Sequence, residues 1–89
     1  MQTLEGVFGN IERDMEFYQL KSFVRIAETG NLRKAAETLY ISQSALSTQI
    51  KLLESRLDLK LFSRSAKGME LTDHGRILYS FAMDILGGV

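Results

Sequence analysis

The stretch Asn31 to Leu57, NLRKAAETLYISQSALSTQIKLLESRL, decides how the rest of the chain is read. Its spacing predicts two helices joined by a very short turn. The second runs from about Gln43 to Leu57 with Ser42 as its N-cap, because a serine hydroxyl accepts from a backbone N–H left free at a helix start. At about 100° per residue, Leu46, Ile50, Leu53 and Leu57 fall in one core-facing stripe. On the opposite side lie Ser44, Thr48, Lys51 and Ser55, flanked by Ser47. An ordinary solvated face is denser in Glu and Lys. This one is made of short hydroxyl groups with one cation, and such a face can come close to a base edge or a phosphate. Gln43, in the first turn, offers an amide that can pair with adenine at two points, and the helix N-terminus favours a phosphate.

The helix before it supports this one. Asn31 can cap it, and Leu32, Ala35, Ala36 and Leu39 form its buried stripe, with two alanines where a second helix must come close. Tyr40, Ile41 and Ser42 are the only residues between the two helices, which makes a sharp crossing the expected geometry. Arg33 and Lys34 stand at the start of the supporting helix, placed either to meet phosphates or as ordinary surface cations. Gln49 lies about 60° from the apolar stripe, nearer the core than the polar side, so it suits orienting neighbouring backbone at least as well as touching a base.

Toward the N-terminus, Phe17, Leu20, Phe23, Val24 and Ala27 predict a helix over about Glu16 to Thr29, stopped by Gly30. It is expected to brace the two-helix unit, with Phe17 and Phe23 as core and not as a stacking platform. Residues 1–14 have two glycines and no sustained period, and read as a flexible extension, either a tag remnant or a native leader.

Toward the C-terminus the period changes. Leu61 to Arg64 and Glu70 to Thr72 are expected to pair as two short strands around the five-residue tip Ser65-Ala66-Lys67-Gly68-Met69. Thr72 can cap a last helix, with Asp73 at the positive end of its dipole. That helix carries Ile77, Leu78, Phe81, Ala82, Ile85 and Leu86, an apolar band covering about half its circumference and broader than packing on one domain usually needs. The surplus points to a second copy, pairing through Ile77, Leu78, Phe81, Ala82 and Ile85. The helix is expected to end at Gly87-Gly88-Val89.

Composition narrows the classes. A chain of 89 residues makes one small unit with a modest core. With no cysteine it has neither disulfides nor a thiolate metal site. Lone His74 has no second histidine, and no paired-carboxylate, Ser/His or phosphate-loop arrangement exists, so no metal, cofactor or catalytic role is expected. No apolar run reaches the length of a membrane span and no signal-peptide pattern opens the chain, which makes a cytoplasmic protein the default. Net charge is zero, but residues 1–14 hold three acids (Glu5, Glu12, Asp14) against Arg13. Removing these from the 11 bases and 11 acids leaves 10 against 8 in residues 15–89, a net +2.

The run Ala35-Ala36-Glu37-Thr38-Leu39-Tyr40-Ile41-Ser42-Gln43-Ser44-Ala45-Leu46-Ser47-Thr48-Gln49-Ile50-Lys51-Leu52-Leu53-Glu54 carries more than a fold. Followed by Leu57, Leu61-Phe62, Arg64, Leu71-Thr72 and Gly75, it closely resembles the N-terminal DNA-binding domain of LysR-type transcriptional regulators, from Met15 to roughly the chain end. The resemblance implies a mainly α fold: a winged helix-turn-helix with a three-helix core and a two-stranded β wing over residues 15–72, then the start of a linker or dimerisation helix over 73–89. It makes Met15 look like a natural first residue. It implies that the hairpin is the wing, with Arg64 and Lys67 on the DNA backbone or in the minor groove, where concentrated negative potential favours cations. The alternative is that both are solvated surface groups. It also implies a homodimer on an inverted-repeat operator, with any small-molecule effector bound only by a larger domain that normally follows and is missing here. Asp58 departs from the family, which favours glycine there, so strain or reshaping is expected at the end of the reading helix.

The candidate DNA-contacting set is therefore Arg33, Lys34, Ser42, Gln43, Ser44, Ser47, Thr48, Lys51, Arg64 and Lys67. The competing class is a winged-helix protein-interaction module, which this polar face disfavours for want of an apolar anchor.

Overall fold

Phe17–Thr29 forms α1, and in the computed structural model, which describes residues 17–86, it lies at the centre of the domain. Gln19, Leu20, Ser22, Phe23, Val24 and Ile26 are all buried, so α1 is covered well beyond its apolar stripe and is more than a one-sided brace, with Tyr18, Lys21, Arg25 and Glu28 left on its exposed edge. Ile26 and the two polar residues lie off the apolar stripe. They are buried because α1 touches the next two helices, the last helix and the second strand at once. The N-terminal extension, Glu16, the side chain of Phe17 and Gly87-Gly88-Val89 lie outside the described residues.

Gly30, at φ +64°, ends α1 and donates its N–H to the Ile26 carbonyl at 2.8 Å. Asn31 Oδ1 then accepts from the Lys34 N–H at 2.9 Å and starts α2, Leu32–Leu39. Leu32, Ala35 and Ala36 are buried as expected. The turn is made by Tyr40 in the left-handed region (φ 58°, ψ 38°), its N–H reaching back to the carbonyls of Ala36 and Glu37. Ser42 Oγ accepts from the Ala45 N–H at 3.0 Å, and α3 runs over Gln43–Leu57 with Leu46, Ile50 and Leu53 buried. Leu57 is half-buried, in the last position of the helix at the C-terminal end of that stripe. The helix closes on Asp58, left-handed at φ 54° and ψ 42°, where glycine was expected to be favoured.

The hairpin differs from expectation at its tip. β1 is Phe62–Ser65 and β2 is Gly68–Leu71, paired antiparallel with Phe62 opposite Leu71 and Ser65 opposite Gly68. Only Ala66-Lys67 are left as a two-residue tip, where five residues were expected. The reason is Gly68. Its φ is +117°, and a Cβ there would lie 2.4 Å from the Gly30 carbonyl oxygen, so only glycine lets the strand begin this early against the α1–α2 turn. Beside it the Met69 N–H donates to that same carbonyl at 3.0 Å.

Thr72 Oγ1 accepts from the Gly75 N–H at 3.0 Å and starts α4, Asp73–Ile85, packed against α1. Gly75 is buried against the Leu61 carbonyl, where a Cβ would come within 2.2 Å. Leu78 and Ala82 are fully buried in this chain's own core, so the structure corrects their expected place on a partner-facing band. Residues i and i+4 on one helix face serve one surface, and here that surface is α1. Ile77 and Ile85 remain 40% and 45% exposed, with Phe81 half-buried. No helix among the described residues is long and apolar enough to cross a membrane.

Candidate nucleic-acid interface

The sharp turn at Tyr40 sets α3 across α2, and α3's inward stripe fixes its rotation. What remains outward is the polar side: Gln43, Ser44, Thr48 and Lys51 are exposed and Ser47 is half-buried. These five, with Arg64 from β1 and the edge of Leu32, line one open hollow of about 420 Å³. A second hollow of about 330 Å³ adjoins it and is lined by Asn31, Arg33, Gln43, Arg64 and Ser65, among others. Gln43 and Arg64 belong to both.

The charge distribution of this surface answers the zero net charge of the chain. Arg33, Lys51 and Arg64 line the two hollows and no acidic side chain does. Clustering of a small excess of cations is enough to attract a polyanion locally. Arg33 also reaches Glu37 at 4.0 Å, but both side chains are about two-thirds exposed (69% and 65%), so solvent screens the pair and it yields readily to a phosphate.

Seven of the ten expected contact residues line these two hollows. Arg33, Gln43, Ser44, Ser47, Thr48, Lys51 and Arg64 line the hollows, and Ser42 sits at the helix start, where its oxygen accepts the Ala45 N–H and keeps its own proton to donate. Lys34 and Lys67 are exposed but line neither hollow. Lys34 is on the first turn of α2, and Lys67 is at the tip, its backbone N–H held by Ser65 Oγ at 3.1 Å. Gln49 is committed inward: its Oε1 accepts from Ser22 Oγ at 3.0 Å, which ties α3 to α1. The sequence reading missed Asn31 and Ser65 as parts of the second hollow. By its local pattern Asn31 reads only as a cap and Ser65 as part of the tip, whereas Ser65 is the last residue of β1. His74 is exposed, and no group of three metal-ligating side chains exists among the described residues.

Comparison with known proteins follows the same outline. A family model described as bacterial regulatory helix-turn-helix protein, lysR family, matches residues 17–76. The nitrogen assimilation regulatory protein nac of Escherichia coli (strain K12) is 47% identical over 72 residues, 81% of this chain and 24% of that protein. The HTH-type transcriptional regulator TfdT of Cupriavidus pinatubonensis is 44% identical over 72 residues, 81% of this chain and 32% of that protein. This chain therefore spans about a quarter to a third of the length of these relatives. Among solved structures, the CbnR DNA-binding domain in complex with DNA superposes with a TM-score of 0.77 at 42% identity, covering 82% of this chain and 84% of that one. The BenM DNA-binding domain with benA site 1 DNA gives a TM-score of 0.79 at 35% identity, covering 83% of each chain.

Proposed function

The chain belongs to the lysR family of bacterial regulatory helix-turn-helix proteins, and on that premise we propose how this domain acts: it reads double-stranded DNA by sequence, as the DNA-binding unit of a transcriptional regulator. The family is one of regulators, not of enzymes. α3 enters the major groove with Gln43, Ser44, Ser47 and Thr48 toward base edges and nearby phosphates, and Lys51 on the backbone. Arg33 and Lys34 hold phosphates from α2, while Arg64 and Lys67 bring the wing to the backbone or the minor groove. One observation carries this reading: the acid-free hollow that joins the small polar side of α3 to Arg64. A protein-interaction module would need an apolar anchor there, and the only apolar lining residue is Leu32, itself 7% exposed.

Residues 15–72 form the reading unit in this proposal, and 73–89 begin the segment that pairs two copies. Ile77, Phe81 and Ile85 supply the contact, while Leu78 and Ala82 support it from the core side. Such a homodimer would set two α3 helices about 34 Å apart on an inverted repeat. Sedimentation at rising concentration should show a dimer that Ile77→Asp abolishes; a monomer throughout would remove this part. In a protein of its relatives' length, a small-molecule effector would bind outside these residues. The site of action is the bacterial cytoplasm, where the DNA is.

The central test is selection from randomised duplex DNA at two salt concentrations. The expected result is an enriched inverted repeat whose retention falls steeply with salt, because neutralised phosphates release counterions. Retention without enrichment would sink sequence reading, and no retention would sink DNA binding.

A further inference from the structure

Glu54 is the one acidic residue of the reading helix on the flank that faces the wing. On α3 it follows Ser47 and Lys51 at helical spacing, and these three share a crevice with Lys60, Phe62 and Arg64. Its Oε2 accepts from two successive backbone N–H groups, Leu61 at 2.8 Å and Phe62 at 3.3 Å. Those amides open the wing: Phe62 is the first residue of β1, and Arg64 lies two residues further along the same strand. The carboxylate thus spends one oxygen at the start of the strand that carries Arg64.

The rest of the wing is fastened elsewhere. Met69 of β2 is bound to the α1–α2 turn through Gly30, and the hydroxyl of Thr72 donates to the Lys60 carbonyl at the hairpin base. Phe62 packs its ring on Phe23 of α1, with centroids 5.3 Å apart. Glu54 ties α3 to the start of β1 directly, through its side chain. A carboxylate is also a costly choice this close to a DNA-facing surface, since its charge repels phosphate. A charged acceptor makes stronger bonds to paired amides than a neutral one, and that is the compensation this geometry offers.

We propose that Glu54 is a positioning residue for DNA binding: it sets the wing, and with it Arg64, at the spacing from α3 at which both meet one duplex. The proposal rests on the reading above that Arg64 meets DNA. Simple electrostatics and positioning predict opposite signs. Removing a negative charge beside the interface should tighten binding, whereas losing the wing's spacing should weaken it.

The experiment uses the whole chain and a fluorescent duplex of mixed sequence, with affinities measured across a salt series. Circular dichroism establishes the temperature at which every variant is folded. Arg64→Ala should weaken binding roughly tenfold and lower the salt slope by about one. Glu54→Ala should weaken it by a similar factor despite removing an acid, and Glu54→Gln, also neutral but still able to accept both amides, should not weaken it. In the double variant Glu54→Ala/Arg64→Ala the losses should fail to multiply, while Glu54→Ala and Lys34→Ala should combine independently, as groups on separate elements do. Tighter binding by Glu54→Ala, equal weakening by Glu54→Gln, or losses that multiply with Arg64→Ala would each overturn the proposal and leave DNA binding standing. Parental affinity in Arg64→Ala would overturn the wing's contact itself, and this proposal with it. A parent chain that retains no duplex would overturn the DNA-binding reading.

Discussion

α1 and α3 are helices of similar length, 13 and 15 residues, and both place small polar side chains among aliphatic ones, yet the two are used in opposite ways. On α1 the polar residues Gln19 and Ser22 are buried, and the one hydroxyl proton of Ser22 is shared between the Tyr18 carbonyl at 2.9 Å and Gln49 Oε1 at 3.0 Å. On α3 the side chains of Ser44 and Thr48 are exposed and enter no side-chain hydrogen bond described in the domain. Polarity alone therefore says little about function. What separates the proposed reading face from the packed one is whether the hydrogen-bonding capacity of the side chains is already used within the chain. Unspent groups on a rigid, well-capped helix can be turned to an outside partner without first breaking anything.

The widest gap between the helices should appear on truncation. Phe23 is fully buried on α1 and packed on Phe62, so Phe23→Ala should cost about 3–5 kcal/mol through lost burial and the cavity it leaves. Ser44→Ala on α3 should stay within about 0.5 kcal/mol. Urea unfolding of both variants measures the contrast, and comparable losses would break it.

The next effect is on recognition. Gln43→Ala should leave unfolding nearly unchanged but cost about 1–3 kcal/mol of preference at one base position, whereas Lys67→Ala should weaken binding to all sequences alike. Equal losses on selected and random duplexes for Gln43→Ala would move that residue from reading bases to holding phosphates.

A smaller effect tests the bridge between the two helices. Ser22→Ala removes the hydroxyl that meets Gln49 and strands the amide in a half-buried place, which should cost about 1 kcal/mol. In a double-mutant cycle with Gln49→Ala the two losses should overlap. Independent losses would mean that the 3.0 Å contact holds nothing, and that apolar packing alone sets the rotation of α3.

These contrasts also explain which parts were legible in the amino acids. The bounds of α3, its Ser42 cap and the outward polar side were readable because cap and stripe are local patterns, and the structure repeats them over Gln43–Leu57. The hairpin was readable from its strand pattern, and the resemblance added its role as a wing. The breadth of the buried side of α1 was hidden, since Ile26 and Ser22 owe their burial to elements that arrive later in the chain. The two-residue tip was hidden for the same reason: it depends on Gly68 meeting Gly30, 38 residues earlier by their numbers. Glu54 could be placed on a flank of α3 from spacing, but its partners Leu61 and Phe62 are reached only through the bend at Asp58. Nor did any pattern mark Tyr40, a 94% exposed aromatic in a left-handed turn.

The smallest effect concerns where the two helices end. α1 closes on a left-handed glycine, Gly30, while α3 closes on a left-handed aspartate. An L residue in that region costs roughly 1 kcal/mol, and aspartate less than most because its short side chain can bond locally. The Asp58 N–H already donates to the Glu54 and Ser55 carbonyls, so the cap itself does not depend on the side chain. Asp58→Gly should then keep the geometry, relieve the strain and give back part of the gain as unfolded-chain entropy, a net stabilisation of about 0.5 kcal/mol. Tyr40→Gly should gain more, since a bulky ring is held in the same region with 94% of its surface exposed and little burial to lose. Thermal unfolding of the two variants side by side measures the order. If Asp58→Gly were the more stabilising, or if either lowered the melting temperature, the left-handed caps would be held by their side chains and not merely tolerated.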